Sequence, residues 1–230
     1  MIRVKINGVA ASFPEGPKEV SLRQYIAYCD LQDTAPKVFR DYYFPEEDEG
    51  RAEAIAAFHD PANQLAIFSH YKKVLQLFAP QLDDALFSKA QPQQLAGLVV
   101  RCMQAVLPTP SEERAGRVIE HEGEEWEIPA KFMRGATVSE YLEAAQFLQS
   151  AKEVTSGQWQ KMAYVMAVLV RRPNEPYSEE LIKPRAEMFL GWPLAHAYRV
   201  GFFLRRQSVK LRALTQRFIV AQEAAQLSKD

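Results

Sequence analysis

INGVAASFPEG, Ile6–Gly16, returns in altered form as HEGEEWEIPAK, Ile6's counterpart being His121 and the second phrase closing at Lys131. Gly8 and Gly123 lie 115 residues apart, as do Pro14 and Pro129, in a chain of 230 residues. Upstream of the first phrase, Ile2, Val4 and Ile6 alternate with Arg3, Lys5 and Asn7, which puts three branched side chains on one face of a strand. Asn7-Gly8 is the dipeptide that most readily takes the two positive φ angles of a tight hairpin turn. A β-hairpin with VAASF as its return strand follows. Glu122-Gly123 plays the same part in the second copy, turning RVIEH into EEWEI.

Each hairpin is followed by a helix that opens on a hydroxyl. Ser21 with Gln24, and Thr137 with Glu140, stand at the spacing of a capping box, in which side chain and backbone satisfy each other's free amides. The pairing of hairpin and capped helix, written twice, predicts an internal duplication of a hairpin-plus-helices unit. Between the copies come the aromatics Phe39, Tyr42, Tyr43 and Phe44, then the acidic run Glu46–Glu49, expected to be a solvated loop. Helical spacing resumes with Leu65, Phe68, Tyr71, Leu75 and Phe78, and Pro80 ends it. Further helices are predicted over Leu82–Lys89, Pro92–Leu107, Val138–Ala151, Ser156–Val170, Ser178–Phe189 and Pro193–Leu227. Pro184 predicts a break or a fresh first turn within the second last of these, because a proline there removes a backbone donor. The fold class is therefore mainly α with two small β-hairpins, a helical bundle of the α+β kind. The unit boundaries fall at 1–107 and 117–230, with residues 108–116, rich in proline and charge, as a linker.

Composition narrows the function classes. At 47% hydrophobic and 25% charged, with a net charge of -1, the chain reads as an ordinary globular protein with no global attraction for nucleic acid or an anionic membrane. The amino terminus lacks the apolar run of a signal peptide, and MAYVMAVLV stops at Arg171, well short of a membrane span. Cys29 and Cys102 sit apart among apolar neighbours and read as buried, reduced thiols, from which a cytoplasmic origin is expected.

No phosphate-binding glycine loop occurs, His59, His70, His121 and His196 lack metal-ligand spacing, and no nucleophile motif accompanies Phe58-His59-Asp60. The expectation is a protein without enzymatic activity, cofactor or metal. The strongest charge signal is Ala195–Ile219, which carries Arg199, Arg205, Arg206, Lys210, Arg212 and Arg217 and no acid. That face suits an acidic protein surface, another copy of the chain, or phosphates.

Thr155–Leu204, TSGQWQKMAYVMAVLVRRPNEPYSEELIKPRAEMFLGWPLAHAYRVGFFL, resembles the helical region of tail-assembly chaperones and related small tail-module proteins of tailed bacteriophages. The shared features are Thr155, Gly157, Gln158 and Trp159 opening an apolar helix, then Tyr177, Phe189 and the pair Phe202-Phe203. Val4–Tyr28, VKINGVAASFPEGPKEVSLRQYIAY, is similar to the opening of the same proteins, although Ala10 and Ala11 leave its hairpin short of charge. Phe39–Pro110 matches no part of that pattern. The resemblance implies a non-enzymatic assembly protein that shields an amphipathic tail component such as the tape measure. Its alternatives are a structural virion protein retained in the particle, with copies of itself as partners, and a nucleic-acid-binding module using the basic helix. On the chaperone reading, Trp159, Met162, Met166, Phe189, Trp192 and Phe203 are expected to line a partner-binding groove, because methionine and aromatic side chains give an adaptable apolar surface.

Overall fold

The computed structural model describes residues 1–6, 8–45, 50–114, 116–128 and 156–206. These form a mainly helical chain with two small antiparallel hairpins, as the sequence predicts. Strand β1 (Ile2–Ile6) pairs with β2 (Val9–Phe13), with Ile2 opposite Phe13 and Ile6 opposite Val9. The alternation does what it promised: Ile6, Ala11 and Phe13 are buried, while Arg3 and Lys5 face solvent. Gly8 carries the turn at φ +85°. Strand β3 (Val118–His121) pairs with β4 (Glu124–Glu127), which sets Ile119 against Trp126 in the core and Glu120 against Glu125 outside. Glu122 at φ 51° and Gly123 at φ 81° give this turn the two left-handed residues that match strand twist.

Helix α1 (Leu22–Asp33) starts with the expected capping box: the Ser21 hydroxyl accepts from the Gln24 amide at 3.1 Å, and the Gln24 side chain accepts from the Ser21 amide at 3.1 Å. Two helices that the sequence left unassigned follow, α2 (Lys37–Tyr43) and α3 (Arg51–His59), on either side of the acidic run. Helix α4 (Pro61–Phe78) is capped by Asp60, whose carboxylate accepts from the Ala62 amide at 2.9 Å, with Pro61 in the first turn where its missing donor is harmless. Helix α5 (Asp84–Lys89) is capped by Asp83, and α6 (Pro92–Ala105) again opens on proline. Residues 108–116 hold a short helix, α7 (Pro110–Arg114).

After the second hairpin come α8 (Ser156–Leu169), a single 3-10 turn (Glu179–Leu181), α9 (Ile182–Leu190) and α10, residues 194–206. Pro184 stands in the first turn of α9, so the interruption it demands lies at the 3-10 turn ahead of it. The expected helix Val138–Ala151 with its cap at Thr137 and Glu140, the run Glu46–Glu49, and Lys210, Arg212 and Arg217 lie outside the described residues.

Among the described residues, both halves present a hairpin, a long helix (α4, α8), a short helix (α5, α9) and a helix at a proline (Pro92, Pro193), while α1, α2 and α3 have no described counterpart in the second. The halves share one continuous buried core. Helix α1 packs on α4 of its own half and on α8 of the other. The strands of chain that precede α1 and α10 bind each other directly: the Leu22 amide donates to the Trp192 carbonyl at 2.8 Å and the Leu194 amide to the Val20 carbonyl at 2.7 Å. One member of the predicted apolar stripe of α4, Leu65, is 83% exposed. It lies in the N-terminal part of α4, where Pro61, Ala62 and Ala66 are exposed as well.

Candidate functional site

The expected groove of the second half is filled. Met162, Met166, Phe189, Trp192 and Phe203 are all buried, and Trp159 is half-buried. Phe189 and Trp192 close with Trp126 into an aromatic cluster, with ring centroids 4.4, 5.3 and 5.6 Å apart. Trp159 packs edge-on against Tyr25 at 4.8 Å and Tyr198 at 5.5 Å. Expecting a groove here was a mistake with a simple cause: the β3–β4 hairpin and α1 cover the surface that these side chains would have offered. Helical spacing of apolar residues reports that a face is covered and is silent about which element covers it.

The basic face is divided as well. Arg199 is half-buried and its guanidinium donates to the Gly116 carbonyl at 2.8 Å and the Val118 carbonyl at 2.6 Å, so it ties α10 to the base of the second hairpin. Burial lowers its pKa from the ordinary arginine value. Arg205 and Arg206 are exposed in the last described turn of α10. Beside Arg199 a small cleft of about 380 Å³ is bordered by Lys18, Glu112, Glu120, His121 and His196. Burial, with Arg199 and His121 nearby, pushes His196 down to about 4, so it is neutral at physiological pH. Among the described residues, no group of histidine, cysteine and carboxylate side chains has the arrangement of a metal site. Likewise no described helix is long and apolar enough to cross a membrane.

The larger opening lies in the first half, where α1, α2 and α6 leave a cleft of about 970 Å³. Its three walls have the same construction. Helix α1 contributes Tyr25, Tyr28, Cys29 and Gln32; α2 and its C-cap contribute Lys37, Arg40, Asp41 and Phe44. Helix α6 and the turn after it contribute Val100, Met103, Gln104 and Leu107. Each set follows i, i+3, i+4, i+7, one stripe of a helix surface. All three stripes therefore look into one space instead of at one another. Phe44 and Leu107 stand at the cleft 48% and 58% exposed, unusual for large apolar side chains that line a concavity.

Within this cleft the polar groups are unevenly provided for. Tyr43 shares a hydrogen bond of 2.9 Å with Tyr71, and Lys37 meets Asp41 at 3.9 Å. Tyr28 is 6% exposed and its hydroxyl has no hydrogen-bond partner among the described residues. The Gln32 carboxamide is packed in the wall with neither end hydrogen-bonded. Burial pushes the Cys29 thiol up to about 11, which keeps it protonated at neutral pH and poorly nucleophilic. Cys102 behind it is pushed up to about 12 for the same reason, and both are free thiols, as their sequence surroundings implied.

None of these cleft residues except Cys29 and the aromatic run was singled out from the sequence. A signal was present: Tyr25, Tyr28 and Gln32 place hydroxyls and an amide on a stripe that an ordinary core-facing helix would fill with aliphatic side chains. Comparison of the chain with family models, with curated proteins and with solved structures finds no match in any of the three.

Proposed function

We propose that this chain is a non-enzymatic assembly protein of tailed bacteriophages, a tail-assembly chaperone that holds an amphipathic helical segment of a tail component in the cleft between α1, α2 and α6. The cleft's dimensions carry the reading. A stripe from i to i+7 is about 10 Å long at 1.5 Å per residue, so 970 Å³ spread along it has a cross-section of about 95 Å². That is a cylinder about 11 Å across, the diameter of an α-helix with its side chains. Phe44 and Leu107, exposed and apolar, offer contact to a partner that brings its own apolar face. The resemblance of Val4–Tyr28 and Thr155–Leu204 to tail-module proteins supplies the class of partner.

The test is affinity capture of the full chain from phage-infected cells with mass spectrometry, run beside Leu107→Arg and beside purified particles. Leu107 is exposed, so the substitution leaves the fold standing and places a charge in the cleft. A tail component that comes down with the wild type and is lost with Leu107→Arg, with the chain itself missing from finished particles, is the expected result. Stoichiometric presence in particles makes the chain a structural component instead. Capture that ignores Leu107→Arg removes the cleft from the account.

A further inference from the structure

The polar fittings of the cleft say more about its occupant than its volume does. Two hydrogen-bonding groups, the Tyr28 hydroxyl and the Gln32 carboxamide, lie one turn apart on α1 without protein partners among the described residues, and the Gln32 amide atoms are fully buried. Leaving the Gln32 amide unpaired in a low-dielectric wall is unfavourable, and a purely aliphatic occupant would add to the cost by stripping the Tyr28 hydroxyl of its water. The charges are also uneven. Lys37 and Asp41 face each other across one helical turn, whereas Arg40 and Asp33 beside them have no ion-pair partner among the described residues.

Resting on the cleft reading above, we propose that the segment bound there is an amphipathic helix whose apolar stripe is broken by one Asn, Gln, Ser or Thr set against Tyr28 and Gln32, with an acid on the side toward Arg40 and a base on the side toward Asp33. The polar residue supplies a donor or acceptor to groups that lack one, and the three rotatable bonds of Gln32 let its amide turn to meet it. The rim charges fix the direction of the bound helix, since reversing it would set acid against Asp33 and base against Arg40. The apolar residues give adhesion and the polar one gives register, because sliding the helix by a turn takes its amide or hydroxyl away from Tyr28 and Gln32.

The full-length chain is used to select binders from a yeast-displayed library of helical peptides with randomised faces, and the winners are titrated against variants. Winners are expected to carry a single polar residue within the apolar stripe and to lose about three- to tenfold in affinity to Tyr28→Phe, one buried hydrogen bond's worth. Arg40→Glu, an exposed substitution that does not depend on core packing, is expected to shift selection from an acid to a base on that side. Thermal melting confirms that each variant is folded. Winners with an unbroken apolar stripe that bind Tyr28→Phe equally well overturn this inference while leaving the cleft as the binding site. Winners indifferent to Leu107→Arg, or no winners at all, overturn the cleft reading and this inference with it.

Discussion

Acidification from pH 7 to pH 5 places a proton on a histidine of the unfolded chain that the fold holds neutral. His70 lies inside α4, 4% exposed, with its ring 4.4 Å from that of Phe39 and its Nε2 without a hydrogen-bond partner. Burial first, and the nearby Lys73 charge second, push its pKa down to about 4 from an ordinary 6.5. The unfolded chain therefore binds a proton near pH 6.5 that the folded chain refuses until about pH 4. Stability is intact above that window and falls as pH drops through it, because the unfolded state holds more protons there. Those two values correspond to a loss of about 2 kcal/mol between pH 7 and pH 5, approaching about 3 kcal/mol below pH 4. His196 adds a loss of the same sign. His70→Leu removes the titrating group at nearly constant volume, so at pH 7 it should unfold within about 1 kcal/mol of the wild type. Urea unfolding of both proteins at pH 7 and pH 5 isolates the effect: the wild type is expected to lose about 2 kcal/mol more than the variant. Equal losses would refute the reasoning and show that His70 titrates normally.

Other perturbations follow from single contacts. Arg185 is buried, ion-paired with Glu175 and 5.8 Å over the Trp126 ring, so Arg185→Met should cost about 3 kcal/mol in urea unfolding, with Glu175→Gln in the same chain recovering part of it. Ser21→Ala removes the α1 capping box and should lower stability by about 1 kcal/mol in the same assay. Gly123→Ala places a side chain at φ 81° with no atom within 4 Å to clash, so its cost, about 1 kcal/mol by thermal melting, is conformational alone.

Much of this architecture is written locally and so could be read from the chain. The hairpins rest on strict alternation and two dipeptide turns, the α1 cap on Ser21 and Gln24, and the interruption before α9 on Pro184. Helices α2 and α3 were missed because neither declares itself: α2 is only seven residues long, and α3, rich in alanine, is exposed on most of its surface. The site was legible only in part because contacts between distant elements decide it. Met166 and Phe189 carry the same local signal whether they meet a partner or, as here, Trp126 and α1. The α1, α2 and α6 stripes become a cleft only when α4 gathers those helices around it.

The bond from the Leu22 amide to the Trp192 carbonyl sets a timetable for synthesis. The first half leaves the ribosome with the start of α1 incomplete, and its missing strand is 170 residues further on, the difference between 192 and 22. At about 5–20 residues per second the wait is roughly 10–35 s. For most of it, until residues 156–169 are made, the surface of α1 that α8 later covers stays open to water and to other chains. Burial of that surface has to await residues 156–169, so a ribosome stalled between α7 and α8 would hold out a sticky, half-made core.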